Sequence, residues 1–156
     1  MFECEVRFTI EDIAAFKQRL EELGAELLFP YEFTDHYFRP RGGEWDLSEK
    51  NLRIRHWATP PEPTTVFFVK TEIVTIGDLQ FKRALYPQGK VPLFSGSPEE
   101  CRSLLDDLGF EPWFDVAKKD AAIWEVAKHG FKTVAEFIEG LGWTGELEFE
   151  GEDPQQ

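Results

Sequence analysis

The sequence has little sulfur and little histidine. Two cysteines, one methionine and three histidines stand among 156 residues. Cys4 and Cys101 lie far apart with no metal-ligand spacing, which suits a reduced chain and excludes a disulfide framework. His36, His56 and His129 are scattered and form neither HxH nor HExxH, so no zinc site follows. No apolar run approaches the roughly 20 residues that cross a bilayer. No basic segment followed by an apolar stretch opens the sequence, so no signal peptide is expected and a cytoplasmic location is. Basic residues are outnumbered, 17 against 30 acidic, for a net charge of −13. Such a surface repels nucleic acid and anionic lipid, so neither is expected as a partner, but it leaves room for a compact basic pocket. Gly42-Gly43 lacks the strand–helix context and the Lys-Ser/Thr of a P-loop.

What is present is apolar and aromatic. Hydrophobic residues make up 42% and aromatics 15%, with 15 Phe and 5 Trp, enough to bury a real core. A single domain over 1–152 with a flexible tail at 153–156 is expected.

Residues 2–10 alternate, with Glu3, Glu5, Arg7 and Thr9 on one face and Cys4, Val6 and Phe8 on the other. Thr9-Ile10-Glu11-Asp12 reads as a capped helix start, and Ile13, Phe16, Leu20 and Leu23 recur at helical spacing before Gly24. Strands are expected at 25–33, 34–40, 51–57, 66–74 and 79–86, with a Pro-rich turn at 59–64. Residues 87–97 read as a loop. Ser97-Pro98-Glu99-Glu100 opens a second helix that stops at Gly109. Strands follow at 110–118 and 121–128, a short helix or turn at 133–139, and a last strand at 145–150. Phe16–Leu27 and Cys101–Pro112 form a weak internal repeat.

The unusual feature is charge on strands. Glu and Asp are poor strand formers, yet Glu3 and Glu5 share a face, as do Glu146, Glu148 and Glu150. Basic or mixed faces occur at Arg53/Arg55, at Phe68/Lys70/Glu72 and at Lys82-Arg83. One explanation is an ordinary sheet with a solvated face, an interaction domain without chemistry. The other is a barrel with a charged interior, in which carboxylates hold a hard divalent cation and Arg and Lys hold phosphate oxygens.

Glu3-x-Glu5-x-Arg7 resembles the ExExK signature of the CYTH superfamily, which joins class IV adenylyl cyclases and thiamine triphosphatases among the triphosphate tunnel metalloenzymes. Asp35-His36-Tyr37-Phe38, Leu52-Arg53-Ile54-Arg55, Phe68-Val69-Lys70, Leu108-Gly109-Phe110 and Glu139-Gly140-Leu141-Gly142 with Glu146-Leu147-Glu148 look like further family segments, in order. The resemblance implies an α+β fold: an antiparallel eight-stranded β-barrel, or tunnel, with a charged interior and flanking helices. It implies Mg2+ or Mn2+ on Glu3, Glu5, Glu146 and Glu148. It implies phosphate binding by Arg7, Arg53, Arg55, Lys70, Arg83 and Lys118, with Glu5, Arg7 and Lys70 in catalysis. The implied substrate is ATP, thiamine triphosphate or tripolyphosphate, either hydrolysed or, for ATP, cyclised to cyclic AMP. A homodimer is compatible with it. Two departures stand out. Arg7 replaces the signature lysine, keeping charge but not a proton that can leave near neutral pH. Asp120 stands where the family's K-x-R has its arginine, unless the register shifts and Lys119 serves instead, and the acidic partner of R-x-E is missing after Arg83. These departures support the alternative of a non-catalytic binder of polyphosphate or nucleotide.

Overall fold

The computed structural model describes residues 2–151; the expected tail at 153–156 lies outside them. Nine strands and two helices follow in order: β1 (Phe2–Thr9), α1 (Ile13–Glu22), β2 (Glu26–Pro40), β3 (Lys50–Thr59), β4 (Thr64–Ile76), β5 (Leu79–Ala84), β6 (Val91–Gly96), α2 (Pro98–Asp107), β7 (Phe110–Val126), β8 (Phe131–Ile138) and β9 (Gly142–Gly151). All pairings are antiparallel. The order β3-β2-β7-β8-β9-β1-β5-β4 closes on itself through β3–β4, and β6 adds a ninth strand on β4. The result is the eight-stranded barrel expected, with one strand more. β1 pairs with β9 from Phe2↔Gly151 to Thr9↔Thr144, whereas it meets β5 only at Cys4↔Arg83 and Glu5↔Lys82.

Closure explains why the charged faces point inward. A closed sheet has one inner and one outer face, and residues alternate between them. Helices cover parts of the outer one. Cys101 and Leu105 of α2 are fully buried with Phe38, Leu52, Ile54 and Val66, and Trp45, Phe68 and Phe110 close the edge of that core. Ser97 caps α2 by accepting from the Glu100 N–H while Glu100 accepts from the Ser97 N–H. Helix α1 starts at Asp12, which accepts from the Ala15 N–H, and lays Phe16 against Phe8 of β1 with ring centroids 5.9 Å apart. Gly145 lies opposite Phe8 in the ladder, and a Cβ there would come within 2.5 Å of the Phe8 ring. A second cluster of Tyr31, Phe33, Ala121 and Val134, with Trp57 and Ile123, sits within the barrel.

Several expectations are corrected. The segments 25–33 and 34–40 are one continuous strand, and so are 110–118 and 121–128, because register shifts absorb the irregularities without ending the ladders. Asp120, at φ 47°, sits in one of these irregular stretches. The loop read at 87–97 contains β6, which tolerates Pro92 because it pairs on one side only, with β4. The helix or turn at 133–139 is strand β8. Thr133, Val134, Ala135 and Glu136 are all buried there, so no alternation shows.

Candidate active site

The barrel encloses a cavity of about 550 Å³. Glu3, Glu5 and Arg7 enter it from β1 and Glu146 and Glu148 from β9; Asn51, Arg53, Arg55 and Trp57 enter from β3, Lys82 from β5, Lys118 from β7 and Glu136 from β8. Lys90, in the turn before β6, completes the charged lining.

One side of this lining is acidic. Glu5 lies directly across the β1–β9 ladder from Glu148, and Glu3 from Glu150. Like charges so placed repel. Burial, and then the Glu148 charge, push the Glu3 carboxyl up to about 7. Burial and Glu5 raise Glu148 as well.

The other side is basic and tightly bonded. Asp35, fully buried, accepts from Arg55 Nε at 2.8 Å and Arg55 Nη2 at 2.9 Å. Burial favours protonation of Asp35, but the Arg55 hydrogen bonds and charge, with Arg53, outweigh it and hold the carboxyl below its ordinary range. Arg53 donates to the Tyr37 hydroxyl at 3.0 Å. The Arg55 guanidinium lies 3.7 Å from the centre of the Phe33 ring, a contact that favours a cation already stripped of water. Tyr37 stacks on Phe114 with centroids 4.6 Å apart, and both line the cavity.

Glu136 ties the two sides together. It accepts from Arg7 at 2.8 Å, Lys118 at 2.9 Å and the Tyr31 hydroxyl at 2.7 Å, with 1% exposure. Burial alone would raise its carboxyl; Lys118, Arg7 and Tyr31 outweigh burial and lower it. Arg7 also bonds Glu146.

Eight of the ten residues singled out from sequence therefore share the cavity: Glu3, Glu5, Arg7, Arg53, Arg55, Lys118, Glu146 and Glu148. Two do not. Val69 and Thr71 take the inward positions of β4, so Lys70 between them points outward and is exposed. On β5 it is Lys82 that faces inward, and Arg83 pairs on the outside with Glu72 of β4. Asp120 is exposed and its N–H donates to Glu32, so it presents no charge to the cavity. The sequence reading missed Glu136, Lys82 and Lys90 as site residues, and quoted Asp35 without giving it a role.

The donor set suits a hard divalent cation in part. Glu3, Glu5 and Glu148 are oxygen donors on neighbouring strands whose mutual repulsion Lys90 and Lys132 offset only in part, the chemistry such an ion neutralises. Glu146 is engaged by Arg7 instead. Among the described residues no three such groups yet converge on one point.

The titration of this wall has a sign. Glu3 is raised in the folded state, so the stability it contributes is full below the ordinary carboxylate pKa and is lost as pH rises toward 7. Glu148 acts in the same direction. Metal-free protein should thus lose stability between about pH 4.5 and 7, and millimolar Mg2+ at pH 8 should restore it. Urea unfolding across that range with and without Mg2+ measures both effects. A rise in stability across the same window without metal would contradict the assignment.

The CYTH domain family model matches residues 1–156. The chain belongs to the CYTH family. Among solved structures, this CYTH chain is similar to the PH1012 protein of Pyrococcus horikoshii OT3, at 24% identity and TM-score 0.71, covering 98% of this chain and 81% of that one. It is similar to a candidate adenylate cyclase of Vibrio parahaemolyticus at 15% identity and TM-score 0.67, covering 99% and 79%. It is also similar to a candidate adenylyl cyclase of Hippeastrum, described as revealing a dominant triphosphatase activity, at 14% identity and TM-score 0.62, covering 98% and 81%. These identities establish a shared fold. No curated protein matches significantly. Among the described residues, no helix is long and apolar enough to cross a membrane.

Proposed function

We propose that this CYTH protein processes a triphosphate-bearing small molecule inside the barrel, with Mg2+ or Mn2+ held by Glu3, Glu5 and Glu148. The observation that carries the reading is the meeting, in one cavity, of an acidic strand pair with cations from four other elements. The phosphate chain would lie along Arg53, Arg55 and Lys118, whose donors suit phosphate oxygens. The bound ion would supply charge neutralisation and Lewis acidity. Asp35 and Tyr37 hold the arginines in place, so little reorganisation is needed as charge builds on the transferred group. Attack by water on the terminal phosphorus releases phosphate; attack by the ribose hydroxyl of ATP on the α-phosphorus closes the ring and expels pyrophosphate. Hydrolysis is the first reading, because it needs no group to position a sugar. The activity described for the Hippeastrum protein agrees with it.

A non-catalytic binder is the second reading, and Arg7 favours it. Its guanidinium is committed to Glu136 and Glu146, and it takes Glu146 from the metal set. The test is turnover of tripolyphosphate, thiamine triphosphate and ATP with Mg2+ or Mn2+, following phosphate and cyclic AMP. Phosphate release from at least one substrate, stopped by chelator, is the expected result. No product from any of the three, alongside a metal-dependent rise in melting temperature with tripolyphosphate, would leave the binder. At ligand a hundredfold above its dissociation constant, that stabilisation is about 2.7 kcal/mol.

A further inference from the structure

The cavity cations are not equivalent. Arg7 and Lys118 are bonded to Glu136, Arg55 to Asp35, and Arg53 to Tyr37. Lys90 and Lys82 differ. Both line the same cavity, and neither ammonium makes a hydrogen bond or ion pair among the described residues. The Lys90 Nζ lies 5.4 Å from the centre of the Phe67 ring. The charges of Arg55, Arg53, Glu3 and Asp35 all act on Lys90. The turn that delivers it is fitted to the acidic wall. Gly89, at φ 75°, packs so closely on Glu3 that a Cβ would come within 2.9 Å of its carboxylate.

Burying an ammonium beside two guanidinium groups without a hydrogen-bonded partner opposes folding. An anionic ligand in the cavity would supply the partner this ammonium lacks. We propose that Lys90 is a phosphate-binding residue of this site, gripping ligand phosphate oxygens between the carboxylate and arginine walls, in the role the sequence resemblance gave to Lys70. The inference rests on the proposed triphosphate function. It adds a residue from outside the regular strands. Lys82 of β5, also in the cavity and facing Glu5 across the ladder, is the neighbour best placed to assist.

The experiment is calorimetric titration of Mg2+-tripolyphosphate into wild type, Lys90→Gln, Lys90→Arg and Lys70→Gln, with ligand-free melting temperatures recorded for each. Lys90→Gln should weaken binding about tenfold or more, the size expected for losing a hydrogen bond to a charged group. Lys90→Arg should retain most of the affinity, and Lys70→Gln should bind within about twofold of wild type, since each tenfold is a full 1.4 kcal/mol. The ligand-free Lys90→Gln protein should melt no lower than wild type, an outcome a merely structural lysine would not give. If wild type binds and Lys90→Gln binds equally well, the assignment of Lys90 is overturned and the proposed function survives. If wild type does not bind at all, both fall. A Lys90→Gln protein that melts lower without ligand would overturn the account of Lys90 as an unpartnered charge.

Discussion

Replacing Glu136 with alanine should destabilise the protein by about 3–5 kcal/mol, the range for removing one partner of a buried ion pair. Glu136 is 1% exposed and accepts from three donors at once. Its loss strands the Lys118 ammonium without a carboxylate, leaves the Tyr31 hydroxyl without its acceptor, and reduces Arg7 to Glu146 alone. Lys118 is the buried one of the two cations, so the variant keeps its desolvation cost and loses the group that offset it, whereas Arg7 is 41% exposed. Glu136→Gln keeps an oxygen for Tyr31 and should fall between wild type and alanine. Urea unfolding at pH 7.5 measures the series. A loss below about 1 kcal/mol, the level of an exposed pair, would mean that water reaches this carboxylate.

Replacing Glu5 with glutamine should act in the opposite way. We expect kcat/KM for the best triphosphate substrate to fall about 100-fold or more, the scale for losing one group that stabilises transferred charge. The ligand-free protein should melt at or above the wild-type temperature. Glu5 faces Glu148 across one ladder and Lys82 across the other, so the relief of repulsion by an uncharged isostere at least offsets the lost attraction once burial of the charge is also removed. Mg2+ should then stabilise the variant less than wild type. This split separates a group held for function from one held for structure. Retained kcat/KM in Glu5→Gln would remove Glu5 from the proposed metal set, whatever happened to its stability.

The parts of the fold that were legible in sequence are those with one charged and one apolar face. β1, β3 and β9 showed the alternation, and their inward residues are those the alternation names. β8 was not legible, because its four central residues are buried whichever face they occupy. Glu136 went unseen with it. β6 was hidden by Pro92 and the surrounding Gly and Ser, which an edge strand tolerates. Lys70 was misplaced because the motif resemblance was followed over parity. It shares its face with Phe68, which packs on the outer core beside Trp45. Lys90 gave no periodic signal, since a turn has none. The family resemblance thus placed the glutamate and arginine strands, and the corrections concern side chains whose direction only closure of the barrel decides.

The long β1–β9 ladder bears on how the molecule is made. Arg7 and Glu146, which meet across it, are 139 residues apart in sequence. Pairings of that separation carry a large loop-closure cost and form slowly. Ladders between consecutive strands, such as β3–β4, β4–β5 and β8–β9, close much shorter loops. The acidic wall therefore comes into being only when the ring of strands is sealed. A partly folded chain can carry several of the basic strands, but the carboxylates of β1 face those of β9 only once this ladder forms. If the proposed metal needs Glu3, Glu5 and Glu148 together, its affinity reports completion of the barrel.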